Sequence, residues 1–167
     1  QGEHRSLVDV IKAATALADT HAPRGKVDVT VAIPDDLARI QGDPHQLRQL
    51  FTNLLINAFE AMSGRGSVRI VATELPEEEG TSGGEAHVGA MVQVDVTDDG
   101  PGVPPDVMDR IFSPFFTTKP QGTGLGLAIV RKIVNAHDGR IDVQVPSAGG
   151  TQFRVTLPVS SEHELFR

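Results

Sequence analysis

Two asparagines four positions apart, Asn53 and Asn57, stand among apolar residues at Leu47, Leu50, Phe51, Leu54, Ala58 and Met62 that recur at helical spacing. At about 100° per residue both carboxamides fall on one flank of that stripe, one turn apart, and reach the same point at the edge of a core. Two readings of the pair are open. The amides cap a neighbouring loop, or their carbonyl oxygens help hold a hard cation such as Mg²⁺, which takes oxygen ligands and shares them with phosphates. A second cluster follows the alternating run Met91-Val92-Gln93-Val94-Asp95-Val96, which leads straight into Thr97-Asp98-Asp99-Gly100-Pro101-Gly102-Val103. Glycines on both sides of a proline allow a tight turn against which a flat ligand can lie, and a carboxylate at a strand end can accept from an exocyclic amine. A plain turn is the alternative. The third cluster, Gly122-Thr123-Gly124-Leu125-Gly126-Leu127, opens a helical pattern, where free backbone N–H groups make an anion site.

These clusters exclude several chemistries. No Gly-x4-Gly-Lys-Ser/Thr run is present, and the glycine run puts leucine at position 127 where a dinucleotide fingerprint needs glycine. No His-Arg-Asp or Asp-Phe-Gly set of a Ser/Thr/Tyr kinase occurs. The six histidines, at 4, 21, 45, 87, 137 and 163, form no His-Glu-x-x-His pair, so surface or capping roles are expected of them rather than zinc. Phe115-Phe116 suits either a packed core or a patch for a partner.

The elements that must position these residues are legible from periodicity. A first helix is expected to about His21, with Ser6 as N-cap and Leu7, Val10, Ile11, Ala14, Leu17 and Ala18 on its apolar side; Pro23 and Gly25 end it. A half-buried strand over residues 27–33 follows, closed by Pro34. Asp43-Pro44 pairs an N-cap with a first-turn proline and opens a helix to Met62, whose end is marked by Ser63-Gly64-Arg65-Gly66. Strands over 68–73 and 91–96 flank a Gly-, Pro- and Glu-rich stretch, residues 76–89, read as a solvated, flexible hairpin loop. A short helix over 105–111, a longer one over 125–137 and a strand pair, 140–145 and 151–159, complete an α+β or two-layer α/β sandwich without repeats.

The 167 residues suffice for one domain that needs no staple. Lys plus Arg number 15 against 22 for Asp plus Glu, a net charge of −7 that argues against nucleic acid and anionic membranes as partners. With no cysteine there is no disulfide, thiol nucleophile or thiolate metal site. No apolar run approaches the roughly 18 residues of a membrane span, so a soluble, cytoplasmic domain is expected. The first residue is Gln rather than Met, which suggests a piece of a longer parent whose own membrane anchoring this sequence does not display.

Taken in order, the clusters resemble those of bacterial sensor histidine kinases. Gly42-Asp43-Pro44, Leu47, Gln49, Asn53-Leu54-Leu55 and Asn57-Ala58 resemble the asparagine box. Asp98-Asp99-Gly100-Pro101-Gly102-Val103 resembles the first glycine box, and residues 111–119, Ile-Phe-Ser-Pro-Phe-Phe-Thr-Thr-Lys, resemble the phenylalanine box. Residues 122–130 resemble the second glycine box, and Gly149-Gly150-Thr151-Gln152-Phe153 the closing glycine-threonine turn. The likeness spans residues 1–158, leaving 159–167 as a C-terminal tail.

The resemblance implies a Bergerat ATP-binding fold, a two-layer sandwich of a mixed, mostly antiparallel sheet covered by about three helices, with ATP between the layers under a lid at 104–123. It implies that Asp98 accepts from the adenine amine while Gly100 and Gly102 let the base approach, with Ala58, Val103 and Thr151 around the nucleotide. Asn57, assisted by Asn53, would ligate the Mg²⁺ that bridges the phosphates. Thr123, Gly124, Leu125, Gly126 and Leu127 would meet the phosphates through backbone N–H groups, and Lys119 would approach the terminal phosphate from the lid or serve only as a solvated lid charge. Related chaperone, gyrase and mismatch-repair ATPases carry a water-activating glutamate where Asn53 stands. An amide is a poor base, so the site suits phosphoryl transfer, which needs positioning and charge neutralisation, rather than hydrolysis.

The acceptor implied is a histidine on a dimerisation domain of the parent, a homodimer, with a response regulator receiver domain as next partner. His4-Arg5-Ser6 does not match that acceptor motif, so the chain is expected to bind ATP and ADP without phosphorylating itself. Two residues depart from the pattern. Asp99 stands where asparagine or threonine is frequent and adds a negative charge that must face away or be paired. Glu60 stands where many relatives carry a basic residue. A degenerate nucleotide-binding regulator and a serine kinase of the anti-sigma type are the alternatives, the latter disfavoured by the phenylalanine box.

Overall fold

The computed structural model describes residues 7–21, 25–34, 36–37, 40, 42–62, 64–75, 90–113 and 126–159. In chain order the elements are α1 (Leu7–His21), β1 (Lys26–Ala32), α2 (Pro44–Met62), β2 (Arg65–Leu75), β3 (Met91–Asp98), a 3₁₀ turn (Pro105–Arg110), α3 (Gly126–Ala136), β4 (Arg140–Gln144) and β5 (Thr151–Pro158). The five strands form one sheet in the order β1-β2-β3-β5-β4. β1 and β2 are parallel and α2 is their crossover, while β2–β3, β3–β5 and β5–β4 are antiparallel.

Burial along the strands shows which face the helices cover. In β3, Val92, Val94, Val96 and Asp98 are buried and the intervening residues half-buried; in β5, Thr151, Phe153, Val155 and Leu157 are the buried set. Such strict alternation requires one face packed and one facing water. Helix α2 lies at the centre of the packed side, against α1 on one flank and α3 on the other, with β2 and β3 beneath. Its expected stripe is buried throughout, and Thr52, Leu55 and Phe59 join it, because a helix flanked by two others and a sheet is covered over most of its circumference. On the open face Arg154 of β5 makes a forked contact with Asp95 of β3, at 2.9 and 3.3 Å. Hydrogen bonding to Asp95 holds the guanidinium pKa above its ordinary value, against the opposing effect of burial.

Elements and fold class agree with the sequence reading, with three differences. Leu17 is 37% exposed, at the margin of the α1 stripe rather than within it. Strand β2 begins at Arg65, inside the segment read as a turn, because pairing with β1 starts at Lys26↔Arg65. Residues 105–110 wind as a 3₁₀ turn with Pro105 in its first turn and no side-chain cap. The Ser6 cap, Pro23, Ser63, the 76–89 loop, Phe115, Phe116 and the tail after Val159 lie outside the described residues.

Candidate functional site

Helix α2 starts as its sequence dictates. Asp43 Oδ1 accepts from the His45 N–H at 2.9 Å, Pro44 occupies the first helical position, and the first helical bond runs from Leu47 N–H to the Asp43 carbonyl at 2.9 Å. Asn53 and Asn57, on its half-buried flank, therefore lie one turn apart. The Asn53 Nδ2 donates to the carbonyl of Gly126, the first residue of α3, at 3.5 Å, which links the asparagine flank to the opening turn of the third helix.

The inward rows of β3 and β5 both end on a polar residue. Asp98 and Thr151 are direct partners in the antiparallel register, so their side chains share the helix-facing side of the sheet. They are 4% and 5% exposed, and with Thr52 they are the buried polar residues among those described. The Thr52 hydroxyl is satisfied within its own helix, donating to the Arg48 carbonyl at 2.6 Å. Asp98 and Thr151 are thus the two polar groups that the fold buries together away from a helix backbone. A buried carboxylate is costly unless hydrogen-bonded. Asp98 Oδ1 accepts from the Gly100 N–H at 2.8 Å, an Asx turn that orients the carboxylate.

Two glycines make the turn possible. Gly102 has φ +87°, and a Cβ there would lie 3.1 Å from the Gly150 carbonyl oxygen. Gly150 has φ +84°, and a Cβ there would overlap the Asp98 carbonyl oxygen. The turn after β3 is therefore seated backbone-to-backbone on the start of β5. Its other side meets the last turn of α2, where a Cβ on Gly100 would stand 3.4 Å from both the Ala61 carbonyl oxygen and Met62 Cγ. Asp99, the charge that had to face away or be paired, is paired: Oδ1 accepts from the Ser67 N–H at 3.0 Å and Oδ2 from the Ser67 hydroxyl at 3.2 Å.

The structure thus makes two groupings that share α2: Asn53, on the same flank as Asn57, is joined to Gly126 of α3, while Asp98, Gly100, Gly102 and Thr151 gather where β3 and β5 meet, with Gly100 against the last turn of α2. Ala58 is buried in the core, and Val103 and Leu127 pack against it. Thr123, Gly124, Leu125 and Lys119 lie outside the described residues, as does the expected lid from residue 114 to 123. The lid's first part is packed: Ile111 is buried, and the Phe112 ring meets Phe153 edge-to-face, centroids 6.1 Å apart, with the Arg131 guanidinium 5.8 Å from its centroid. Ser67 is a supporting residue that sequence reasoning left out. Its contact with Asp99 reaches across 32 positions, and no local pattern displays it. Among the described residues, no group of three His, Cys, Asp or Glu could hold a metal ion, and no helix is long and apolar enough to cross a membrane.

Residues 42–161 match the family model described as histidine kinase-, DNA gyrase B- and HSP90-like ATPase. The chain belongs to that ATPase family. It is 36% identical over 154 residues to the sensor histidine kinase ZraS of Escherichia coli strain K12, a match that covers 92% of this chain and 30% of ZraS. The chain therefore spans about a third of such a relative. The solved catalytic domain of histidine kinase ThkA superposes with a TM-score of 0.74 at 29% identity, covering 95% of this chain and 98% of that one. Full-length ShkA in complex with AMPPNP superposes with a TM-score of 0.68 at 30% identity, covering 95% of this chain and 32% of ShkA. The mixed five-stranded sheet with its helical layer is thus the fold of histidine kinase catalytic domains.

Proposed function

We propose that this chain is the catalytic domain of a sensor histidine kinase, binding ATP with Mg²⁺ and passing the γ-phosphate to a histidine on a dimerisation domain of its parent, for relay to a response regulator receiver domain. The observation that supports this most is the buried Asp98–Thr151 pair at the end of two apolar strand rows, whose following turn at Gly100 lies against the last turn of α2, the helix that carries the asparagines. A buried carboxylate acceptor next to a hydroxyl matches the amine edge of adenine, and the apolar Ala58, Val103 and Leu127 suit its ring.

The donor set also fits Mg²⁺. Asn57 and Asn53 offer neutral amide oxygens, hard ligands that add no negative charge beside a polyphosphate, and the metal would neutralise charge on the transferring phosphoryl group. In this acidic chain, phosphate is met by local devices: these amides, the N-terminal turn of α3 at Gly126 and Leu127, and in the proposal the backbone of Thr123, Gly124 and Leu125 with Lys119 of the lid. Asn53, an amide that donates to Gly126, serves positioning and not water activation. The parent is read as a homodimer acting in the cytoplasm.

Equilibrium binding of a fluorescent ATP analogue with Mg²⁺ tests the site. Asp98→Ala and Asn57→Ala each remove a buried or metal-directed partner and should weaken binding by about tenfold or more. Unchanged affinity in both variants refutes the assignment. Label transfer from γ-labelled ATP to the parent's own histidine domain tests the reaction, and nucleotide binding without transfer favours a regulatory module.

A further inference from the structure

At the end of the α2–α3 pair remote from Asn53 lies a contact with no part in the site just described. His137, immediately beyond α3, places Nδ1 2.9 Å from the Ile133 carbonyl oxygen and Nε2 3.2 Å from the backbone N of Asp43, the N-cap of α2. The carbonyl only accepts and the N–H only donates, so the ring must carry its proton on Nδ1 and accept at Nε2: a neutral imidazole in one defined tautomer. The Asp43 carboxylate is already engaged by the His45 N–H, and the His45 ring faces Arg48 at 3.2 Å. The seat is shaped for the ring, since a Cβ on Gly42 would lie 2.5 Å from His137 Cδ2 and 2.7 Å from Nε2.

The two helices run antiparallel: position 137 meets 43 at one end, and 126 meets 53 at the other. About 15 Å of helix separates these tethers. With both made, α3 can neither slide nor turn along α2. We infer that His137 is a positioning residue for the nucleotide's phosphates: by holding the C-terminal end of α3 on the N-cap of α2, it fixes the opening turn at Gly126 and Leu127 relative to Asn53 and Asn57. This rests on the nucleotide reading above. A displacement of about 1 Å at such a site suffices for a large loss of function.

The test compares ATP, ADP and adenosine binding, with Mg²⁺, in the 167-residue chain. His137→Phe keeps the ring's bulk and removes both nitrogens, His137→Gln restores an oxygen that can accept from the Asp43 N–H, and Gly42→Ala displaces the imidazole without altering it. His137→Phe and Gly42→Ala should weaken ATP and ADP by about three- to tenfold, the effect of one lost hydrogen bond. Adenosine, which has no phosphate to meet α3, should bind as before, and His137→Gln should return ATP affinity to within about twofold of the original. Nitrogen NMR of the unmodified chain should show His137 protonated at Nδ1 alone. Equal losses for adenosine and ATP, or unchanged ATP affinity in both His137→Phe and Gly42→Ala, overturn the inference while the unmodified chain still binds ATP. Failure of the unmodified chain to bind ATP at all overturns the nucleotide reading, and the inference with it.

Discussion

Gly149 and Gly150 offer a controlled experiment on how the sheet seats the turn after β3. Both hold positive φ, +100° and +84°, so an alanine at either takes up a left-handed strain of about 1–2 kcal/mol. Only one meets anything. A Cβ on Gly149 has no heavy atom within 4 Å, whereas one on Gly150 overlaps the Asp98 carbonyl oxygen and comes within 3.0 Å of the Asp98 carbonyl carbon and 3.1 Å of Asp99 Cα. All three are backbone atoms of a paired strand end and cannot swing aside, so Gly150→Ala adds an overpacking penalty of about 1–3 kcal/mol. At about 2–4 °C per kcal/mol for a domain of this size, Gly149→Ala should lower Tm by about 2–8 °C and Gly150→Ala by about 4–20 °C. Thermal and urea unfolding of the two variants side by side measures the difference. On the nucleotide reading, Gly150→Ala also moves the Asp98 backbone and weakens ATP, while Gly149→Ala leaves affinity within about twofold. Equal loss of Tm in the two variants refutes the reasoning, because the conformational strain is common to both and only the contact differs.

Asp138 is the one described non-glycine residue with positive φ, at +59°, and forms the left-handed cap of α3 beside the Gly139 N–H bond to Val134. Asp138→Gly should therefore raise stability by about 0.5–1 kcal/mol, read as an increase in the urea midpoint. Asp95→Ala removes the fork to Arg154, whose side chain is 37% exposed, and should cost only about 0.5–1 kcal/mol, with a smaller loss in 1 M salt. Asp99→Asn keeps an acceptor for Ser67 and deletes one charge; it should strengthen ATP binding about twofold at low salt and leave it unchanged at high salt, as a salt titration of the binding constant would show.

What the sequence displays and what it hides follow from the range of the interaction. The start of α2 was legible because Asp43, Pro44 and the His45 N–H are neighbours in the chain, and the hairpin of β4 and β5 because Gly149 and Gly150 mark its turn. The β2 boundary differs because Gly64 and Gly66 look like one turn when seen alone, yet pairing with β1 starts the strand at Arg65 and carries it through Gly66. The sheet order is non-local: the resemblance implied a mixed, mostly antiparallel sheet, and only the structure gives the order of its strands. His137 illustrates the limit most sharply. A lone histidine near a helix end carries no sign of its partner, and the one nearby hint is a glycine at 42 whose missing side chain makes room for a ring 95 positions away.

Helix α2 explains why the candidate site is also the structural centre. Its N-cap is held by His137, its middle by Asn53 to Gly126, and its last turn lies against Gly100, so each site element is referred to one rigid helix rather than to its neighbours in sequence. Its buried side, with Leu50, Leu54 and Leu55 fully enclosed and Phe51 nearly so, anchors that helix to the core. The asparagine flank therefore inherits its precision from packing that no ligand touches. Asp98 follows the same logic from the sheet side, being the residue at which an apolar strand row meets the helical layer's polar edge. A site assembled this way needs few charged residues of its own, which is how a chain with a net charge of −7 can be arranged to receive a polyanion.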